Sequence, residues 1–532
     1  MKNRILHSAA AFVLAAVLTL LCACNSAQPQ DTQNQQNTPT AIEDMSATGL
    51  TLSYSGTDNL DPYDAVTKYN RELCSLLFDT LIVLDKDFNP VNRLAQDIVF
   101  EENTCKITIK PALFTDGSQV TAEDVTYSLK KARNSETKFK DTLSGISDYN
   151  AINTKELEIK LDSYDPYFIN LLDFPIIKMN SDGKTNEDGK SLPSVGSGRY
   201  IYDMGGKILK VNSAYIGEKP AQKTIELVDT PDAEAIKHNI EVGKISMFYS
   251  DLSDNTPLGM AGQSIKVPMN NLVFLGINYD NGYLSDPRFR QAVNLAVNRT
   301  KIANEAYYSY AEPATGPFPK NWKEATGLQS IPETEDAARA AQLLADAGYS
   351  KKDGDGFLLD SADKRISLLL VCNSDNYNRT VAAQFIAAQL AVVGISCEVR
   401  DIDSASYFAE LGSRSFDLYI GEVKIKNNMD LRPLLTPGSG ACFGYIKTPK
   451  AEPLEEGETS TEYVTVSAFD ELSALYSGEG DITSLLAAFN SELPVIPLVF
   501  RCGQMAVSEK ISGLTTPSIS DLFFGIEKIS FK

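Results

Sequence analysis

Histidine, the commonest general base, occurs only twice in the chain, at His7 and His238. A serine or cysteine triad would therefore depend wholly on His238. That residue lies in "DAEAIKHNIEVGKI", where Ala233, Ile236 and Ile240 mark a helical apolar face. No Gly-x-Ser-x-Gly elbow exists for it to serve, and His-Glu-x-x-His zinc chemistry is excluded. Gly183-Lys184-Thr185 and Gly189-Lys190-Ser191 each lack the glycine five places earlier that a phosphate loop requires. Asp353-Gly354-Asp355-Gly356 opens like a calcium loop, but Leu358 stands where the turn needs glycine. Both read as polar surface turns. Among 70 acidic residues nothing selects a glycosidase pair. No catalytic residue, metal ligand or cofactor is expected.

The densest run of charge is "FTDGSQVTAEDVTYSLKKA", Phe114 to Ala132. Asp116-Gly117 suits a tight turn, with Ile107, Ile109 and Leu113 marking a strand that leads in. Thr121 and Asp124 form a Thr-x-x-Asp capping pattern, and Glu123 adds negative charge at the helix start. Val125 and Leu129 mark the buried stripe, and Lys130 and Lys131 suit the helix end. Every charge in the run has a structural role, so scaffold is expected here.

At 532 residues the chain is too long for one core and implies two or three domains. Its hydrophobic content of 43% is that of a globular protein, and its net charge of -21 repels nucleic acid and anionic headgroups. Lys2 and Arg4 precede an uncharged, mostly apolar run from Ala9 to Leu21. That run is shorter than the ~20 residues of a spanning helix and reads as a secretory signal. Leu21-Cys22-Ala23-Cys24 looks like the lipobox of bacterial lipoproteins, with Cys24 as the acylated residue; an ordinary signal peptide cut elsewhere is the competing reading. "NSAQPQDTQNQQNTPTA" then lacks large apolar residues and is expected to be a flexible tether. Six cysteines follow, at 74, 105, 372, 397, 442 and 502, with no C-x-x-C pair and no spacing that names a disulfide.

Alternating and periodic segments fall into two bodies. Leu50 to Tyr54, Lys106 to Lys110, Leu157 to Leu161, "GSGRYIYDM", "KILKVNSAYIGEKP" and "KTIELVDT" read as strands, and "KYNRELCSLLFDTLIVLD" as a helix. From about Asn271, "LVFLGINY" reads as a strand and "DPRFRQAVNLAVNRTKI" as a helix capped by Asp286 with Pro287 at its first position. "EDAARAAQLLADAGY" is a helix stopped by Gly348, "RISLLLVCNSDNYNRTVAAQFIAAQLAVVGISCEVRDID" a βαβ unit, and "FDLYIGEV" a further strand. Mixed elements in two bodies imply an α/β protein with a cleft between lobes.

In this order the segments resemble the family 5 extracellular solute-binding proteins of ABC transporters, which include oligopeptide, dipeptide and nickel binders. The resemblance rests on "FTDGSQVTAEDVTYSLKKA", "VGSGRYIY", "YLSDPRFRQAVNLAVNR", "DAARAAQLLADAGY" and "AAQLAVVGISCEVRDID". It implies a periplasmic-binding-protein-like two-lobe fold (type II, cluster C) with an extra inserted subdomain. Domain I would comprise 46–78, 195–270 and 491–532, domain II 79–194 and domain III 271–490, after a signal peptide (1–23) and tether (24–45).

The implied function is a monomeric lipoprotein receptor, held on the outer face of the cell membrane through Cys24. It would capture peptides between its lobes and deliver them to permease subunits. Peptide-binding members carry a tryptophan and then an amine-pairing aspartate after the strand matched by "FDLYIGEV". Here the stretch is "GEVKIKNNMDLRPLL", with Glu422 near the tryptophan's place and Asp430 late. Either acid could hold an ammonium, or both could be solvated loop charges. The resemblance adds Tyr377, in a loop that faces ligand in some members, and Tyr54 and Asn278 as further candidate contacts. The segment from Ala451 to Asp481 looks shorter and more acidic than usual. A nickel or metal-chelate receptor, a hydrolase on the same scaffold and a sensor without transport are the alternatives.

Overall fold

The computed structural model describes residues 49–253, 257–445 and 467–532. The signal, the lipobox with Cys24, the tether and the acidic stretch 451–466 lie outside the described residues. Among those described, no helix is long and apolar enough to cross a membrane.

Thr51–Tyr54 runs parallel to Thr224–Asp229, and Ile208–Val211 and Tyr200–Asp203 extend that sheet antiparallel. A second four-stranded sheet orders Ala95–Glu101, Thr104–Ile109, Glu156–Leu161 and Ile146–Ala151. One hydrophobic core, with Leu52, Leu76, Ile107, Leu129 and Ile159 among its members, runs through both. The segment 79–194 thus brings its own sheet without a separate core.

The capping pattern forms as the residue types demand. Helix Ala122–Asn134 starts at Thr121, whose backbone N–H donates to Asp124 Oδ2 at 2.9 Å, while the Asp124 N–H donates to Thr121 Oγ1 at 3.4 Å. Asp124 Oδ1 also accepts the Met179 N–H at 2.8 Å, so the cap fastens a neighbouring segment. Gly117 closes the preceding turn at φ +84°, a conformation that disfavours a side chain. In "VGSGRY", Gly198 lets the backbone reach helix Lys68–Leu77: a Cβ there would lie 2.4 Å from the Leu77 carbonyl carbon.

Two long strands, Gly262–Ile277 and Val495–Ser508, pair antiparallel from Gly262 opposite Ser508 to Gly276 opposite Val495. At one end Val267, Met505 and Val507 enter the core just described, and at the other Val273, Leu275, Ile496 and Leu498 enter a different one. Both strands therefore belong to both lobes. The ladder is irregular between Pro268 and Leu272, where proline has no N–H to give. Met247–Ser250 flanks the pair on the first-lobe side, and Leu418–Lys424, Ser367–Asn373 and Ser396–Ile402 continue the sheet on the other. Ser367–Asn373, helix Tyr377–Val392 and Ser396–Ile402 make the expected βαβ unit, its strands parallel.

Three expectations need correction. The helix beginning at Lys68 ends at Leu77, and Ile82–Leu84 pairs as a strand with Pro90–Asn92, as an apolar β-branched run can. The helix beginning at Pro287 stops at Ala296, because Asn298 caps a new turn by accepting the Lys301 N–H at 2.7 Å. The break lets buried Arg299 donate to the carbonyls of Pro497, Val297 and Pro332. Tyr377 opens a helix and is not in a loop.

Glu422 joins three elements of the second lobe. Its carboxylate accepts from Arg379 at 2.5 Å, Arg501 at 2.9 Å and Asn271 at 2.9 Å. Burial raises the carboxyl's pKa, but Arg501 and Arg379 outweigh it and hold the group below its ordinary value. Such an acid contributes stability above the ordinary carboxylate range that is lost as pH falls through the folded value.

Thr121→Ala is expected to cost about 1 kcal/mol and Asp124→Ala about 2 kcal/mol in urea unfolding, the second more because it also frees the Met179 N–H. Glu422→Gln leaves two guanidiniums short of a counter-charge and should cost about 3 kcal/mol at pH 7, with the penalty shrinking in acid.

Candidate functional site

Where the two lobes face each other, beside the irregular stretch of the paired strands, the chain encloses a cavity of about 580 Å³. Helix Lys68–Leu77 builds one wall. Lys68, Arg71, Glu72 and Ser75 fall at i, i+3, i+4 and i+7, one face of a helix, while Leu73, Leu76 and Leu77 are buried behind them. Asp58 fixes the start of that helix by accepting the Thr67 N–H at 2.7 Å and its hydroxyl at 2.6 Å. Lys138, Asp173 and the run Ile519 to Leu522 complete the first lobe's share of the wall.

The second lobe contributes Lys424, Ile425, Lys426 and Asn427, the run that leaves strand Leu418–Lys424. Its position follows from bonds that cross the cleft. The Ile425 N–H donates to the Asn270 carbonyl at 2.9 Å, in the irregular stretch of the ladder. Lys426 Nζ donates to the Asp141 carbonyl at 3.0 Å, and Asn170 Nδ2 to the Asn427 carbonyl at 3.1 Å. Asn428 Nδ2 donates to Asp165 at 2.6 Å just behind them.

The charges of the wall divide into committed and uncommitted groups. Asp521 accepts from buried Arg199 at 2.8 Å and pairs with Arg93 at 3.3 Å. Burial pulls the Arg199 pKa down, and Asp521 more than restores it. Lys68 pairs with Asp251 at 2.7 Å and lies over the Tyr249 ring. Asp173 Oδ2 accepts from Asn427 at 3.0 Å, Ser520 at 3.1 Å and Lys138 at 3.4 Å. Its Oδ1 is buried without a partner, as are Tyr249 Oη and Asn270 Oδ1. Glu72, with no hydrogen bond from its carboxyl, is pushed up to about 8 by burial and is protonated at neutral pH. Lys424 has no carboxylate within 4 Å among the described residues; burial, then the ammonium of Lys138, lowers its pKa.

This wall can hold a polar, charged solute. Among the described residues no cluster of His, Cys, Asp and Glu is arranged for a metal, and the six cysteines are free thiols. His238 sits on helix Ala233–Glu241, away from the cavity.

None of the five contacts expected from the sequence lines this cavity. Tyr54 is buried at the end of its strand, with Lys207 Nζ 5.9 Å from its ring. Asn278 follows the strand Gly262–Ile277 and donates to the carbonyls of Phe416 at 2.8 Å and Arg414 at 3.3 Å. Tyr377 is 60% exposed on the outer turn of its helix. Glu422 is engaged by two arginines, and Asp430 accepts from Arg432 Nε at 2.9 Å and Nη2 at 2.8 Å. Both acids have intramolecular cations, so neither is a solvated loop charge or an open acceptor. Sequence reasoning missed Lys68, Arg71, Glu72, Lys138, Asp173 and Lys424. The helical spacing of 68, 71, 72 and 75 is the sequence signal for the first three, and the lysines of "EVKIKNN" are the signal for the second lobe's share.

Known proteins share this architecture. The family model described as bacterial extracellular solute-binding proteins, family 5 Middle, matches residues 89–437, well over half of the chain. The glutathione-binding protein GsiB of Salmonella paratyphi A is 25% identical over 367 residues, 66% of this chain and 69% of that one. An ABC transporter substrate-binding protein from Sinorhizobium meliloti superposes with a TM-score of 0.70 at 19% identity, covering 91% of this chain and all of that one (100%). A nickel ABC transporter structure from Bacillus halodurans gives 0.69 at 19% identity, over 89% of this chain and 97% of that one. With two lobes joined by shared strands around a cavity, and the family model matched across its middle, the chain belongs to the bacterial extracellular solute-binding proteins of family 5.

Proposed function

We propose that the chain is the receptor of an ABC importer, capturing a short peptide in the cavity between its lobes and presenting it to membrane permease subunits. The observation that carries this reading is the position of the cavity: its wall is drawn from both lobes, at the strands that join them. A solute bound there touches both lobes at once, so it stabilises the closed arrangement by its differential affinity, and no chemistry is needed. A volume of about 580 Å³ lies within the usual range for small-molecule sites and favours a short peptide over a long one. A relative whose ligand is glutathione, itself a tripeptide, supports the same class. Acylation of Cys24 would hold the receptor, as a monomer, on the outer face of the cell membrane.

Native mass spectrometry of the full-length chain in detergent, followed by denaturing release, is expected to yield short peptides. Release of a sugar or a metal complex alone would overturn the peptide assignment. For a recovered peptide supplied at 100 times its dissociation constant, unfolding free energy should rise by about 2.7 kcal/mol.

Glu72 supplies a pH test of the wall itself. Its folded pKa lies above the unfolded value, so between about pH 5 and 8 the folded protein keeps a proton that the unfolded chain releases. Stability from this group is therefore present at low pH and lost as pH rises through 8. Glu72→Gln should flatten that slope in urea unfolding of the ligand-free protein, with a gain over the parent on the order of 2 kcal/mol by pH 8.

A further inference from the structure

The balance of charge in the cavity runs against that of the chain. Over the whole sequence 70 acids outnumber 49 Lys and Arg, whereas the cavity wall carries seven Lys and Arg against six acids. One of those acids, Glu72, is pushed up to about 8 by burial against the opposing pull of Lys68 and Arg71, which favours its neutral form. The remaining acids are mostly committed. Asp521 serves Arg199 and Arg93, Asp251 serves Lys68, and Asp173 Oδ2 serves Lys138, Asn427 and Ser520. Asp79 is buried and accepts the Thr80 N–H, and Asp141 is exposed to solvent. On the cationic side three groups have no carboxylate within ion-pair distance among the described residues, Arg71, Lys424 and Lys426, and of these Lys426 already donates to the Asp141 carbonyl. Lys424, exposed at the end of its strand, lines the cavity, where the ammonium groups of Lys138 and Lys68 disfavour its charge and the carboxylates of Asp251 and Asp173 favour it.

We infer that the cavity selects a negatively charged ligand, an acidic short peptide, whose carboxylate is received by Lys424 beside Lys138 and Lys68, with Arg71 as a second free cation on the same wall. This rests on the peptide-receptor reading and adds the charge of the peptide. An exposed ammonium that lines the cavity and has no ion-pair partner is open to a ligand carboxylate, which it can hold with a charge-assisted bond. A cationic ligand would add to the repulsion, although the chain's overall field attracts it.

The test is isothermal titration of the full-length chain in detergent with Ala-Glu-Ala, Ala-Ala-Ala and Ala-Lys-Ala, and in parallel with tricarballylate and spermidine as non-peptide probes of opposite charge. The expected result is that Ala-Glu-Ala binds at least about tenfold more tightly than Ala-Lys-Ala, by a margin that shrinks with added salt. Lys424→Gln should close most of that margin and Lys424→Glu should invert it, both with unchanged thermal melting, since the Lys424 side chain holds nothing in the fold. Equal or tighter binding of Ala-Lys-Ala overturns the inference and leaves the peptide reading standing. Binding of tricarballylate without spermidine or any peptide does the reverse. Failure of every anionic probe to bind overturns the charge assignment.

Discussion

The architecture depends on one constraint, that a β-ladder cannot be cut without stranding its N–H and C=O groups. Gly262–Ile277 and Val495–Ser508 are hydrogen-bonded along almost their whole length, and each end is buried in the core of a different lobe. The lobes are thereby held as a pair whose relative orientation is set by two strands. Pro268 interrupts the ladder at the crossing, and the residues released there, Met269 and Asn270, line the cavity. The same discontinuity thus supplies part of the cavity lining, and the Asn270 carbonyl holds the second lobe's contribution in place through Ile425.

Electrostatics in the cleft follow from which ions are paired. The Arg199, Arg93 and Asp521 set is buried and mutually satisfied, so it shapes the floor without offering a charge to solute. The second lobe's Glu422 does the same with Arg379 and Arg501. Arg501 also donates to the carbonyls of Asp251 and Leu252, and Asp251 orients Lys68. A continuous set of charge-assisted bonds therefore runs from the second lobe's sheet to a lysine of the cavity wall. Groups outside such sets, Lys424 and Arg71 above all, are the ones a solute can complete.

How far the fold was legible depended on the range of the interaction. Thr121 with Asp124 and Asp286 with Pro287 act within one helical turn, and they appear where the residue types place them. The helix at Lys68 was drawn too long because its apolar continuation, Leu81 to Leu84, is equally suited to a strand, and pairing with Pro90–Asn92 decides the matter. The helix after Pro287 was overextended because the demand for a break comes from Arg299, whose acceptors include Pro497 and Pro332, far away in sequence.

The site was less legible than the fold. Glu422 and Asp430 drew attention because unpaired acids bind amines, but an acid is unpaired only if no cation reaches it. Arg501 lies 79 positions from Glu422 and pairs with it in a neighbouring part of the same sheet. By itself the sequence determined the α/β order of elements, the local caps and the scarcity of histidine, all of which depend on residues close together in the chain or on composition. Tertiary structure alone decided which charges are spent on one another and which remain open to a solute. Ion pairing depends on distance in space, and the partners here are drawn together only when two strands far apart in the chain pair and join the lobes around the cleft.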